Sequence, residues 1–390
     1  MASLARFLEP PRLRTVEDAD EERRATWLEL FVDLVFVVAV GQVAHELEVD
    51  HTALGFLKFA GLFVPIWWAW VGFTFYADRF DTDDLVFRVA MFAEMLAVAA
   101  LASTTPDALH GGSEGYVVAF VAVRAVLIAL YLRARRHVPE ARGLTTLYAG
   151  VFSAAAGSWL LSLLVPTPAR YAVWAVALAV DLATPLAARR LIQQAPISTS
   201  HIPERIGLFT IIVLGEAVIA VVVGTAGADW NRHALVAAVG GFAVACAIWW
   251  LYFDALDASL VKRSVWAGQL YLYMHLPLLG GLVAAGAGVE LAIHDAAEGG
   301  LTVGSRWALC GGVAVALTAM AVIHFAATRA ARERDLWLRI GVAAAMIAIA
   351  TTAAPVLVTV PLLVALLAVL VLVELGHEEH APKAAGLELH

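Results

Sequence analysis

Charge is what this chain has least of. Over 390 residues only 15% are Asp, Glu, Lys or Arg, against roughly a quarter in an average soluble domain. With 61% hydrophobic residues and a mean hydropathy of +0.80, that scarcity excludes a water-soluble enzyme. Cysteine is nearly absent too. Cys246 and Cys310 both lie in apolar runs, where a thiol packs as a small hydrophobe, and two residues give neither a disulfide framework nor a cysteine metal site. The net charge of -8 and pI near 5.8 leave no basic footprint for nucleic acid. No P-loop, Rossmann fingerprint or nucleophile elbow is present, so no cofactor and no metal are expected and an enzymatic role is disfavoured. The segment before Trp27 is charged and lacks an apolar signal-peptide core, so the first apolar segment is expected to remain as an uncleaved anchor.

Long apolar runs are what the chain has in abundance. Crossing a hydrocarbon layer of ~30 Å takes ~20 apolar residues, and twelve stretches qualify: 27–48, 53–76, 85–103, 116–133, 144–165, 169–188, 204–225, 233–254, 266–289, 303–327, 336–353 and 356–375. The expected fold is an all-α integral membrane protein. Lysine and arginine in short loops stay preferentially cytoplasmic. They crowd before the first span (Arg6, Arg12, Arg14, Arg23, Arg24) and around every even connection (Arg79 and Arg88; Arg133, Arg135, Arg136 and Arg142; Arg189, Arg190 and Arg205; Lys262 and Arg263; Arg329, Arg332, Arg334 and Arg339), with Lys383 in the tail. The other side has only Lys58, Arg170, Arg232 and Arg306. That alternation predicts an even number of spans in the bacterial inner membrane with both termini cytoplasmic.

Weak internal similarity predicts two parallel six-helix repeats. Trp67 and Trp68 correspond to Trp249 and Trp250, Glu94 falls near His275, and Pro168 with Asp181 matches Pro361 with Glu374 at one common offset. An even number of helices per half relates the halves by an axis along the membrane normal. The expected organisation is a tail at 1–26, a first repeat at 27–192, a linker at 193–203, a second repeat at 204–376 and a tail at 377–390.

Ionisable groups inside the bilayer are the informative residues, because each costs at least ~2.5–3.5 kcal/mol on insertion scales and needs a partner, water or a task. Glu29 and Asp33 are one helical turn apart, share a face and must point into the bundle. Glu94 and Arg124 fall near the midplane of neighbouring spans, and an ion pair between them is the cheapest way to hold either. Asp181, Glu216, Asp254, His275, His324 and Glu374 extend the inventory. His275 could titrate near neutral pH or pack through a hydrogen bond, whereas Asp254 and Glu374 are expected at hydrated helix ends. Glu216 is the strongest candidate of the second half. Trp67, Trp68, Trp249 and Trp250 could line a ligand, fill the bundle or mark an interface. The acidic run from His45 to His51 lacks the two-histidine spacing of a zinc helix and reads as a solvated loop. His377-Glu378-Glu379-His380 reads as disordered tail. Prolines 65, 185, 277 and 355 can open backbone hydrogen bonds in or near spans.

The run Thr26-Trp27-Leu28-Glu29-Leu30-Phe31-Val32-Asp33-Leu34-Val35-Phe36-Val37-Val38-Ala39-Val40, continuing through Gly41-Gln42-Val43-Ala44-His45, resembles the signature of the bacterial low temperature requirement A (LtrA) family. The resemblance continues through Trp67-Trp68, the Arg124 span, Pro203-Glu204-Arg205-Ile206-Gly207-Leu208-Phe209 and Leu214-Gly215-Glu216, covering nearly the whole chain. It implies a polytopic membrane protein associated by name with growth in the cold, and no particular substrate. Phe31-Val32-Asp33 departs from the two phenylalanines common before that aspartate. The same stretch is remotely similar to the first-helix Phe-Ser-Asp motif of lysosomal potassium channels, without the serine, and Leu208-Phe209-Thr210-Ile211 lacks the aspartate as well.

Acidic groups distributed through both halves predict a proton- or cation-coupled secondary transporter of a small solute or cation, using Glu29, Asp33, Glu94, Arg124, Asp181, Glu216 and His275. The alternatives are an ion channel, and a lipid-binding or lipid-modifying factor. Expected partners are membrane lipid, the solute or cation, and a further copy of the chain in a homo-oligomer.

Overall fold

The computed structural model describes residues 9–14, 24–81, 83–195, 197–226, 231–254, 263–298, 300–328 and 334–378. The expected C-terminal tail beyond 378 and much of the N-terminal one lie outside these residues, as do Lys262, Arg329, Arg332 and Lys383. The apolar runs fold as helices: α1 (Trp27–Val49), α2 (Ala53–Arg79), α3 (Leu85–Thr104), α4 (Ser113–His137), α5 (Arg142–Ser162), α6 (Ala169–Ala187), the short α7 (Arg189–Gln193), α8 (His201–Ala226), α9 (Arg232–Phe253), α10 (Val265–Glu298), α11 (Val303–Thr328), α12 (Arg334–Thr351) and α13 (Val356–Glu378). The protein is an all-α membrane protein. Among the described residues, 11 helices are long and apolar enough to cross a bilayer. The long helix outside that set, α12, spans 18 residues and carries Arg334, Asp335 and Arg339.

Polar residues between the runs set where helices begin. Thr26 caps α1 in a reciprocal box, accepting from the Glu29 amide while its own amide donates to the Glu29 carboxylate at 2.8 Å, which satisfies two amides that a helix start leaves open. Thr52 and Asp84 accept from Gly55 and Phe87 in the same way at α2 and α3. Short strands β1 (Arg12–Leu13) and β2 (Phe80–Asp81) pair antiparallel. Arg14 adds a 3.1 Å bond from Nε to the Asp78 carbonyl, so residues 9–14 of the expected tail are fastened to the end of α2.

Packing divides the chain into two compact units. The first comprises Met1–Glu216 with Ala258–Val283, and the second Ala217–Asp257 with Ala284–His390. The division falls inside α8 and α10. In the first unit α1 packs on α2 and α3, α3 on α4, α4 on α5 and α5 on α6. Phe31, Leu34 and Val38 are exposed along α1 while Glu29 and Asp33 are buried, the division of faces that a helix at the lipid boundary requires. In the second unit α9 runs along α13, and α12 packs on both α11 and α13. The π-turn Trp307–Gly311 of α11 lies against Gly288, where a Cβ would sit 2.2 Å from the Leu309 amide nitrogen, so only glycine lets these backbones approach so closely.

Candidate functional site

Two neighbouring places in the first unit concentrate buried polar residues. One is a buried knot at the N-terminal ends of α1 and α8. Arg205, four residues into α8, places its guanidinium 2.6 Å from the Asp33 carboxylate and 3.6 Å from Glu29. The same Asp33 oxygen accepts from the Trp70 indole at 2.7 Å. His201 Nδ1 lies 2.8 Å from Asp78 and its Nε2 3.5 Å from Glu29. Asp78 also accepts from the Ser198 amide at 2.8 Å. All of these ionisable side chains are buried. Charges removed from water persist only when paired and hydrogen-bonded, and an aromatic cluster lies beside them, with Trp67 stacked on Trp70 and Phe209 tilted against both.

The second place is a partly open cavity of about 300 Å³. Its wall runs from Asp181 on α6, past Trp68, Phe75 and Arg79 of α2 and Tyr131 and Tyr148 of α4 and α5, to Ala195, Ile202 and the first turns of α10. Asp181 is 3.0 Å from Arg124, and both side chains are fully buried. The pair is close but off hydrogen-bond geometry: among the described residues, neither Asp181 oxygen and no Arg124 nitrogen makes a hydrogen bond. Arg124 lies over the Phe120 and Phe152 rings at 5.1 and 5.0 Å. Knot and cavity share their walls. Adjacent residues of α2 face each in turn, Asp78 the knot and Arg79 the cavity, and so do His201 and Ile202 of α8.

This corrects the pairing expected from sequence. Arg124 joins Asp181 rather than Glu94. Glu94 is fully buried, within electrostatic reach of Arg124, and neither of its oxygens is hydrogen-bonded among the described residues. Helix order along the chain made α3 and α4 neighbours, as they are, but rotation about each axis directs Arg124 toward α6. Glu216 stands apart from the knot, above Gly41 of α1, where a Cβ would meet its Oε2 at 3.0 Å. His275 is buried, with Nδ1 2.7 Å from the Tyr271 carbonyl, the packed one of its two expected arrangements. Trp67 lies in the aromatic cluster, and Trp68 lines the cavity against Tyr273. In the second unit Trp249 is exposed and Trp250 half-buried beside it.

Several buried polar residues bore no distinguishing mark in the sequence. Arg205 and Arg79 counted there as loop charges, yet they are 2% and 3% exposed. Arg339, counted the same way, is buried in α12 and pairs with Glu374 through Nε at 3.0 Å; Glu374 therefore has a partner within its bundle in place of the expected hydrated end. Asp78 and His201 carried no motif. A usable signal for Arg205 was its place in the Pro203-Glu204-Arg205 run at the start of an apolar stretch, where a guanidinium demands an acid.

An uncharacterized protein of Rhizobium meliloti (strain 1021) is 28% identical over 297 residues, 70% of each chain. The family of the bacterial low temperature requirement A protein matches residues 24–374, a range that takes in the Glu29 and Asp33 turn, the cavity and the Arg339–Glu374 pair. The chain belongs to the bacterial low temperature requirement A (LtrA) family.

Proposed function

We propose that this protein is a proton- or cation-coupled secondary transporter of a small solute in the bacterial inner membrane, with both termini cytoplasmic. The observation that carries the reading is the cavity of about 300 Å³ ending on the buried Arg124–Asp181 pair. A purely structural clasp satisfies its remaining lone pairs and protons, because leaving them bare is costly. Here they stay open beside a space that admits water or solute. The cavity also reaches the Arg-rich ends of the helices, the side assigned to the cytoplasm by the loop charges. The knot contributes the second element of coupling. Its acids are clasped by Arg205 and His201, and its walls are those of the cavity, so loosening it by protonation or cation binding would move the residues that enclose the solute. Two parallel repeats supply the halves that would rock in alternating access.

Reconstitution into sealed vesicles tests this. Imposed proton and sodium gradients should drive solute uptake at carrier rates, and Asp181→Asn should reduce it by roughly tenfold or more, as expected when a buried charge pair is broken. Asp254→Asn, at an exposed helix end, should leave it unchanged. Single-channel currents instead of carrier flux would replace the proposal with a pore. Absence of flux with co-purified lipid filling the cavity would replace it with a lipid factor.

A further inference from the structure

The cavity is lined by one arginine, Arg79, that forms no ion pair among the described residues. Arg79 ends α2 with its side chain 3% exposed. Its Nε donates a long 3.4 Å bond to the Ala195 carbonyl, its guanidinium lies 5.4 Å from the Phe75 ring centroid, and it lies within electrostatic reach of Tyr131 and Tyr148, which line the same cavity. Among the described residues no carboxylate forms an ion pair with it. The acids nearby are engaged elsewhere: Asp78 with His201, Asp84 with Arg133 at 2.7 Å, and Asp181 with Arg124. Arg189, whose Nε donates to Gln269 of the cavity wall at 3.1 Å, adds positive charge at the rim. Burying a cation without a counter-ion is costly, and an arriving anion would offset that cost.

From this geometry we infer that the cavity binds an amphiphilic organic monoanion, its carboxylate on Arg79 and the Tyr131 and Tyr148 hydroxyls and its apolar body along Trp68, Phe152 and Leu272. Guanidinium is the side chain best matched to a carboxylate, through two parallel hydrogen bonds. The aromatic and aliphatic lining takes the remainder of the molecule. A volume of about 300 Å³ stands at the lower end of ligand pockets, which fits an arylalkyl or medium-chain carboxylate. Binding stands on the cavity alone; only the passage of the bound anion across the membrane rests on the transporter reading.

Calorimetry on the purified full-length protein with phenylpropionate, phenylpropanamide and phenylpropylamine tests it. The carboxylate should bind, the amide roughly tenfold more weakly and the amine not measurably. Arg79→Gln should lose roughly tenfold or more and Arg79→Lys less, because the ammonium keeps the charge and loses the fork. Should Arg79→Gln fail to fold, Tyr148→Phe, expected to weaken binding roughly threefold, and Val71→Trp, expected to fill the cavity and abolish it, carry the same test. Equal binding of amine and carboxylate, no binding of the carboxylate, or full affinity in a monodisperse Arg79→Gln protein would overturn the anion site. Phenylpropionate binding without vesicle flux would sink the transporter reading and leave the site standing; flux of another solute without this binding would do the reverse.

Discussion

Arg205 and Asp33 lie 172 residues apart in the chain and 2.6 Å apart in the fold. Each comes from one of the stretches that carry the family resemblance, so two pieces of sequence far apart in the chain are the two halves of one buried contact. Glu29, one turn before Asp33, completes the arrangement from the same helix face.

Removing the cation should be more damaging than removing the pair. Arg205→Ala leaves Asp33 and Glu29 buried with reduced compensation, and breaking such a pair from one side costs about 3–5 kcal/mol. The double variant Arg205→Leu with Asp33→Leu should regain part of that loss, since an apolar replacement of a whole buried pair is often neutral. Thermal unfolding in detergent, read as a double-mutant cycle, checks this; additive losses would show that the two side chains act independently.

The tryptophans of α2 should separate by their hydrogen bonds and not by their size. Trp70→Phe removes the indole donor that reaches Asp33 at 2.7 Å, a bond to a charged group worth about 1.5–3 kcal/mol. Trp67→Phe removes a buried indole nitrogen with no hydrogen-bond partner among the described residues, so it should cost less despite equal burial. Parallel melting curves of the two variants decide, and equal losses would assign both to packing alone.

Acid should leave the connection between α1 and α2 intact until far below neutrality. The Asp50 carboxyl is held down to about 2 by hydrogen bonds from Lys58 and Thr52, with the Lys58 ammonium 2.8 Å away. A depressed carboxyl contributes stability that is complete above its ordinary value and fades as pH falls through the folded one. The contact therefore holds unchanged from about pH 8 down to about 4 and is lost approaching about pH 2. Carboxyl titration by NMR should place Asp50 near 2, and Lys58→Ala should return it toward the ordinary value of 3.8. An unchanged midpoint in that variant would assign the depression to Thr52.

Much of this protein was written along the chain. Runs of apolar residues long enough for a bilayer become helices because an open strand or loop cannot satisfy its own backbone amides in oil. Threonine and aspartate at the joints start those helices, and the spacing of Glu29 and Asp33 puts both on the buried face of α1. The expense of an ionisable group in hydrocarbon marked the residues that would need partners. Partner choice was a different matter. Arg124 took Asp181 in preference to Glu94, Arg205 left the loops to clasp Asp33, and Arg79 came to line a cavity without an ion-pair partner among the described residues, because rotation about each helix axis and packing across distant segments are settled only when all the helices assemble. A charge must find its match in three dimensions, and linear order states which groups need one without saying where it comes from.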